Sequence, residues 1–237
     1  MQSLYSDITY RIMSDTIKKA LYVIRKRPFQ FFSYFGQYTR FYRTKLLQAF
    51  TYSESRGVYL GPNVRIQSLQ TLSAELPNAR IQIGANSVIY EKAHVEAYGM
   101  GQLSIGEDCI IGDARIYARK AVKIGNRVVT SWNVFIQDFD PHPIDPEQRK
   151  IQMLQMTENF RPSYSTVRRS VPKLDWSFSA DSIEIGDDVW LGANVTILKG
   201  AHIGAGSVVA AGSVVTRGQY PAKAILGGSP AKVIKQL

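Results

Sequence analysis

A repeat of six residues constrains this chain more than any other feature. From Ile185 the chain divides into the blocks IGDDVW, LGANVT, ILKGAH, IGAGSV, VAAGSV and VTRG. Each block opens with an aliphatic residue, and the fifth position of each complete block is small or β-branched, as in Val189 and Ser207. An α-helix has a period of about 3.6 residues and a strand a period of about 2, so neither produces this repeat. The pattern predicts a coil with three short strands per turn and the aliphatic residues pointing inward.

In such a coil each opening aliphatic stacks on its counterpart three blocks later, so we expect Ile185 to lie under Ile203. Successive coils should lie one strand spacing apart, about 4.8 Å. Similar blocks occur earlier, with interruptions, as LGPNVR, IGANSV, IGEDCI and IGNRVV. The single cysteine, Cys109, falls at a fifth position and is predicted to be a small core residue. One cysteine also excludes an internal disulfide and a zinc site built on cysteines.

The repeat is interrupted after Ile136 and resumes at about Ser182. A gap of this size inside a solenoid predicts a loop thrown out from one corner, and long loops in compact domains are usually functional or disordered. The stretch QDFDPHPID, residues 137–145, lies at the root of this loop. It holds His142, one of three histidines in the chain, between two prolines.

The segment IEIGDDVWLGANVTILKGAHIGAGSVVAAGSVVTRG and the closing GGSPAKVIK resemble the hexapeptide-repeat acyltransferases. They are most similar to the branch of maltose, galactoside and glycan O-acetyltransferases. The resemblance implies an all-β, left-handed parallel β-helix, here with an N-terminal helical segment and a short C-terminal helical tail. We expect residues 1–56 to form the basic aromatic helical segment and residues 57–226 the β-helix. Residues 143–181 would form the extruded loop and residues 227–237 the tail.

In that branch the catalytic base is a histidine at the mouth of a protruding loop, in a string that HPIDP, residues 142–146, matches. The resemblance therefore implies that His142 takes the proton of a sugar hydroxyl and returns it to the leaving thiolate. Help of this kind contributes roughly 10² to 10⁴ in rate. Asp138, Asp140 and Asp145 are candidates to orient the imidazole, and each is equally a turn-forming residue. The sequence does not choose among them.

Two departures from the branch accompany this match. His142 lies one residue further from Ile136 than the branch suggests, and Phe139 stands where some glycan acetyltransferases carry an additional histidine. We therefore expect the rim of the site to be reshaped.

The resemblance also implies that acetyl coenzyme A lies along the last coils, in a groove between the subunits of a homotrimer. The extended pantetheine arm needs a flat wall of small side chains, and the coenzyme phosphates need cations. Small corner residues are also what the fold itself requires, and a solvated basic tail is the alternative for the two lysines. The implied donor-binding residues are Trp190, Gly192, Ala193, Ala211, Thr216, Arg217, Lys232 and Lys235.

Residues 1–50 carry nine Lys or Arg against two acids and so supply +7 of the formal net charge of +10. Such a surplus indicates an anionic partner. Apolar residues at helical spacing on both sides of Pro28 predict two helices, which either cap the first coil or anchor the chain on acidic lipid. No nucleic-acid module is recognisable. The N-terminal residues do not resemble a signal peptide, so we expect a cytoplasmic protein that contacts the inner face of the membrane peripherally.

These observations predict transfer of an acetyl group from acetyl coenzyme A to a carbohydrate hydroxyl, on a surface polysaccharide or lipid-linked glycan. In the loop, Arg168 and Arg169 would meet an anionic sugar or remain solvated. The alternatives are an N-acetyltransferase acting on an amino sugar and a noncatalytic β-helix scaffold. The same coil serves γ-class carbonic anhydrases, which need three histidines around a metal. His94 and His202 close their blocks at corners and do not pair with His142, so no metal is expected.

Overall fold

The structure, a computed structural model, describes residues 36, 39, 48, 51–159, 170–174 and 177–237. The chain divides into two compact units, Met1–Leu47 and Gln48–Leu237, and the fold described below is that of the second. The helices predicted around Pro28 lie outside the described residues except for Gly36 and Thr39, which are both helical. Arg168 and Arg169 also lie outside the described residues. No helix among the described residues is both long and apolar enough to cross a membrane.

The described residues form short strands, most of them two to five residues long, and one α-helix is described over its whole length. A 3-10 turn, Glu54–Arg56, precedes the first strand, and helix α1, Pro146–Asn159, lies between the twelfth and thirteenth strands. The strands are β1 Val58–Leu60, β2 Arg65–Ile66, β3 Leu72–Ala74, β4 Arg80–Ile83, β5 Val88–Ile89, β6 His94–Ala97, β7 Gln102–Ile105, β8 Ile110–Ile111, β9 Ala114–Ala118, β10 Ala121–Ile124, β11 Val129–Thr130, β12 Val134–Gln137, β13 Ile183–Ile185, β14 Trp190–Leu191, β15 Thr196–Leu198, β16 Ala201–Ile203, β17 Val208–Val209, β18 Val214–Val215, β19 Gly218–Tyr220, β20 Ala224–Gly228 and β21 Ala231–Gln236.

The strands make three sheets, and each coil contributes one strand to each sheet. The first sheet has the order β1-β4-β7-β10-β13-β16-β19, the second β2-β5-β8-β11-β14-β17-β20-β21 and the third β3-β6-β9-β12-β15-β18. All pairings are parallel except that of β20 with β21. The predicted left-handed parallel β-helix is therefore confirmed.

The core is a stack of the aliphatic residues that open the six-residue blocks. Ile185 pairs directly with Ile203 in the parallel register, as predicted. Cys109 is also buried, in the place that the repeat predicts for it. Full burial of one such aliphatic side chain contributes about 1.5–3 kcal/mol, so the repeated column is the main source of stability. The buried residues of the last coils are Ile185, Val189, Leu191, Val195, Ile197, Ala201, Ile203, Ser207, Val209, Ser213 and Val215.

The corner between the first and second sheets explains why glycine follows the aliphatic residue. A Cβ on Gly84 would lie 2.5 Å from the carbonyl carbon of Gly106 in the next coil, so a side chain has no room there. Two residues later the backbone turns through the left-handed region, at φ 61° in Asn86 and 55° in Asp108. Asparagine and aspartate adopt this conformation more readily than most residues.

Residues just before β1 cover the first coil. The Gln48 side-chain amide donates a hydrogen bond to the carbonyl of Ile66 at 2.8 Å, and the Tyr52 hydroxyl donates one to the carbonyl of Leu69 at 2.6 Å. The Tyr52 ring is buried and belongs to the core cluster. This part of the segment before the β-helix therefore acts as a cap.

The prediction of a C-terminal helical tail is wrong. Residues Ala231–Gln236 form β21, which runs antiparallel to β20 at the end of the second sheet. The outer edge of β20 would otherwise expose a row of unpaired backbone N–H and C=O groups, and β21 pairs with them. The need to pair the edge of β20 therefore decides the conformation of these C-terminal residues.

Candidate active site

The long loop leaves the β-helix after β12, at the corner between the third and first sheets, and its two ends are joined. The backbone N–H of Asp140 donates to the carbonyl of Ser179 at 2.9 Å, and that of Asp181 donates to the carbonyl of Asp138 at 2.8 Å. Phe139 and Ala180 form an isolated antiparallel bridge between these contacts. The loop therefore begins with a short, closed stem, which residues 138–140 and 179–181 form.

Aromatic side chains pack the stem against the third sheet. Phe139 is buried, and its ring meets Phe178 edge-on at 5.7 Å and Tyr98 edge-on at 6.3 Å between centroids. The guanidinium carbon of Arg119 lies 3.4 Å from the centroid of the Phe178 ring. Burial lowers the pKa of Arg119, and the aromatic faces stabilise its charge. Phe139 therefore has a packing role in the stem.

The last residues of the HPIDP string form the start of helix α1. The Asp145 carboxylate accepts a hydrogen bond from the backbone N–H of Gln148 at 2.8 Å, which is the contact of an N-cap residue. Pro146 follows as the first residue of α1, a position where its missing N–H costs little. From α1, Arg149 Nη1 donates to the carbonyls of Pro143 and Ile144, both at 2.9 Å. The turn that carries His142 is therefore bound to the helix that follows it.

His142 is exposed at the start of this turn, and one ring nitrogen is hydrogen-bonded. Its Nδ1 lies 2.8 Å from Oε1 of Gln152, a buried residue of α1. The other end of the Gln152 amide donates to the carbonyl of Pro141 at 3.2 Å. Sequence analysis did not single out Gln152. The sequence signal that could have indicated Gln152 is its position two helical turns after the N-cap residue Asp145.

Asp145, one of the three aspartates predicted to orient His142, caps α1, and the other two also have partners other than His142. Asp138 is fully buried, and its carboxylate accepts the backbone N–H groups of Arg119 at 2.7 Å and Lys120 at 2.9 Å. Burial raises the pKa of Asp138, and these backbone hydrogen bonds offset part of that rise. The Asp140 carboxylate pairs with Nζ of Lys199 at 2.5 Å. Both side chains support the stem.

Arg217, one of the residues predicted to bind the donor, also contacts the stem. Its Nη1 lies 2.7 Å from Oδ2 of Asp181, and Nζ of Lys120 lies 3.2 Å from Oδ1 of the same carboxylate. The hydrogen bond from Lys120 and the charge of Arg217 lower the pKa of Asp181. Thr216 is half-buried beside Arg217, and its carbonyl accepts the Tyr220 hydroxyl at 3.1 Å.

The other predicted donor-binding residues lie on the second sheet and at its corner with the third sheet. Gly192, Ala193 and Ala211 form the corner between the second and third sheets, where Ala211 is exposed. Trp190 points outward from the second sheet with half of its surface exposed, and its indole N–H donates to Oγ of Ser131 at 3.2 Å. Lys232 and Lys235 are exposed on β21. Trp190, Lys232 and Lys235 therefore lie on strands of the same sheet, and the small residues lie at its corner.

The two remaining histidines stand away from His142. His94 is exposed on β6, and His202 on β16 lies 3.6 Å from the Glu184 carboxylate. Within the described ranges, the His, Cys, Asp and Glu side chains form no group of three or more that could hold a metal ion.

Residues 182–217 match the family model described as bacterial transferase hexapeptide, six repeats. The Escherichia coli protein WbbJ, whose name assigns it O-acetyl transfer in lipopolysaccharide biosynthesis, is 30% identical over 157 residues, 66% of this chain and 71% of the relative. Rv3034c of Mycobacterium tuberculosis, named as an acetyltransferase, is 29% identical over 204 residues, 85% of this chain. The chain spans 57% of the length of that relative.

Among solved structures, a variant of AntD, an N-acyltransferase from Bacillus cereus solved with dTDP and coenzyme A, superposes with a TM-score of 0.55. It is 17% identical, and the match covers 81% of this chain and 88% of AntD, which shows a common fold. The repeat, the coil and the extruded loop define a hexapeptide-repeat transferase. The chain belongs to the hexapeptide-repeat acyltransferase family.

Proposed function

We propose that this protein transfers an acetyl group from acetyl coenzyme A to a hydroxyl of a carbohydrate, on a surface polysaccharide or a lipid-linked glycan. The observation that carries the proposal is the exposed His142 imidazole, held at Nδ1 by Gln152 at the mouth of the extruded loop. Membership of the family supports acyl transfer. The similarity to WbbJ supports a glycan as the acceptor.

His142 acts as the general base in this proposal. A sugar hydroxyl is a weak nucleophile at neutral pH, so the imidazole takes its proton while the oxygen attacks the thioester carbonyl. The new C–O bond forms a tetrahedral intermediate, which collapses as the C–S bond breaks. The imidazolium then returns the proton to the coenzyme A thiolate. General-base assistance accounts for roughly 10² to 10⁴ of the rate.

The donor would lie along the corner of Ala193 and Ala211, where the small side chains leave a flat wall for the pantetheine arm. We assign the coenzyme phosphates first to Lys232 and Lys235, which are exposed on β21. Arg217 and Thr216 border the stem instead. Because Arg217 is already paired with Asp181, phosphate binding there would have to displace an ion pair.

A homotrimer would bring the donor-binding corner of one subunit together with His142 of another. The outward face of the second sheet carries an apolar column in which Ile110 is 42%, Val129 37% and Trp190 50% exposed. An apolar column on a solvent-facing sheet indicates a protein contact. A closed ring with a three-fold axis would cover it and place a neighbour's corner near His142. The column consists of Val88, Ile110, Val129, Trp190, Val208 and Ile225, which are neighbours in the parallel register.

Calorimetric titration with acetyl coenzyme A, and with its analogue lacking the 3′-phosphate, tests the donor. We expect about one molecule per chain and weaker binding of the analogue. Absence of binding at millimolar donor would overturn the proposal. Transfer of labelled acetyl to purified glycan then tests the reaction, and His142→Ala should bind donor without transferring the label. Mild base cleaves an ester but not an amide. A base-stable product would therefore show that the acceptor is an amino group and not a hydroxyl.

Two further parts of the proposal concern the loop arginines, which lie outside the described residues, and the N-terminal segment, of which the structure describes only a part. Arg168 and Arg169 would bind an anionic acceptor, and residues 1–56 would contact an acidic membrane surface. Cosedimentation of the full chain with anionic vesicles, with neutral vesicles as the control, tests the second. Binding that is equal for both vesicles, or unchanged by salt, would contradict it.

A further inference from the structure

The orientation of the Gln152 amide determines where His142 carries its proton. The Pro141 carbonyl can only accept a hydrogen bond, so the NH₂ end of Gln152 must face it, at 3.2 Å. The amide oxygen therefore faces Nδ1 of His142, at 2.8 Å. An amide oxygen can only accept, so Nδ1 of the neutral imidazole must be the protonated nitrogen.

The surroundings of Gln152 hold this amide in place. Gln152 is 8% exposed, whereas His142 is exposed, so the amide is shielded while the ring reaches solvent. Gln152 also stands on the same side of α1 as Arg149, one turn earlier. Arg149 donates to the carbonyls of Pro143 and Ile144, and Gln152 donates to that of Pro141, so α1 is hydrogen-bonded to the turn on both sides of His142.

We propose that Gln152 is the positioning residue for His142 and fixes the tautomer with hydrogen on Nδ1, which leaves the lone pair of Nε2 as the base. The catalytic consequence rests on the function proposed above, but the tautomer does not. A glutamine achieves with a neutral oxygen what an aspartate achieves in triad chemistry. It also stabilises the imidazolium that forms when Nε2 accepts the proton, since both ring nitrogens then donate.

Nitrogen NMR of the full chain tests the tautomer without any substrate. The chain has three histidines, so two-bond proton–nitrogen spectra of histidine-labelled protein contain three imidazoles, and His142→Ala assigns one of them. At a pH where the ring is neutral, we expect a protonated Nδ1 and an unprotonated Nε2 for His142. Gln152→Leu should give a mixture of tautomers. Protonated Nε2 in the natural chain, or an unchanged pattern in Gln152→Leu, would overturn the inference.

Gln155→Leu is the matched control, because the same substitution is made one turn later on the same helix. The Gln155 amide donates to the carbonyl of Pro172 at 2.9 Å and not to His142. We therefore expect Gln155→Leu to keep the tautomer of the natural chain. A change as large as that in Gln152→Leu would show that disturbance of the helix, and not loss of the amide oxygen, is responsible.

Kinetics test the consequence. Gln152→Leu should lower kcat by roughly 10- to 100-fold, the cost of a lost hydrogen bond to a group that becomes charged, with little change in KM for acetyl coenzyme A. Gln152→Glu keeps an acceptor beside Nδ1 and should recover most of kcat. Unchanged kcat in Gln152→Leu, with His142→Ala inactive, would overturn the positioning role and leave the proposed function standing. An active His142→Ala would overturn the proposed function, and the NMR result would still decide the tautomer.

Discussion

Replacement of Asp138 by alanine should destabilise the protein strongly, because this carboxylate satisfies two backbone donors at the root of the loop. Its oxygens accept the N–H groups of Arg119 at 2.7 Å and Lys120 at 2.9 Å, and the residue is 0% exposed. A fully buried donor left unpaired costs about 1–3 kcal/mol, and because both of these hydrogen bonds are only part-buried we expect a loss of about 2–4 kcal/mol for the pair. Asp138→Asn keeps one accepting oxygen and should lose about half as much.

Urea denaturation at a fixed protein concentration measures this difference. Asp140→Ala is the comparison, because the Asp140 and Lys199 side chains are 27% and 23% exposed and form a partly solvated pair. Removal of a partly exposed pair costs about 1 kcal/mol or less. We therefore expect a large shift of the urea midpoint for Asp138→Ala and a small one for Asp140→Ala. An unchanged midpoint in Asp138→Ala together with lost acetyl transfer would refute the reasoning and assign Asp138 to the chemistry.

Three further predictions concern the donor groove, the subunit contact and the stem. Ala211→Trp should raise KM for acetyl coenzyme A and leave the thermal midpoint unchanged, because the bulky ring enters the groove from an exposed corner; an unchanged KM would place the donor elsewhere. Val129→Asp should convert the proposed trimer to monomers in sedimentation velocity, and a trimer that persists would remove the apolar column from the interface. Lys120 and Arg217 lower the pKa of Asp181 in the folded protein below the unfolded value of about 3.9. The Asp181 carboxylate therefore stabilises the fold fully at a pH above the unfolded pKa. This stabilisation is lost as the pH falls through the lowered, folded-state pKa. The urea midpoint of Asp181→Asn should therefore lie below that of the natural chain at pH 7 and approach it in acid; a pH-independent difference would contradict this role.

The break in the repeat and the HPIDP string are local features, so the sequence could propose a candidate site at the loop root. The partner of the imidazole could not be predicted in the same way. Three aspartates lie within four residues of His142, and proximity along the chain favoured them. In the structure Asp145 caps α1, Asp138 bonds to backbone and Asp140 pairs with Lys199. Gln152 reaches the ring because the turn before α1 is bonded to the side chains of that helix, through Arg149 as well as Gln152.

The C-terminal residues show the same limit. The sequence Ala-Lys-Val-Ile-Lys-Gln is compatible with a short helix or a strand, and the free edge of β20 decides between them. An unpaired edge is a property of the assembled sheet and has no counterpart in the local sequence.

By itself, the sequence determined the β-helix, its core and the position of the loop, because a six-residue period places an aliphatic side chain inside on every strand and stacks it on its counterpart three blocks later. Ile185 and Ile203 therefore meet as predicted, although they are far apart in a linear chain. Only the tertiary structure decided the arrangement of the site. The stem joins Asp140 to Lys199, 59 residues later, and Lys120 to Asp181, 61 residues later. Contacts of this kind depend on how coils stack and how the loop returns, so the residues on either side of His142 could not reveal them.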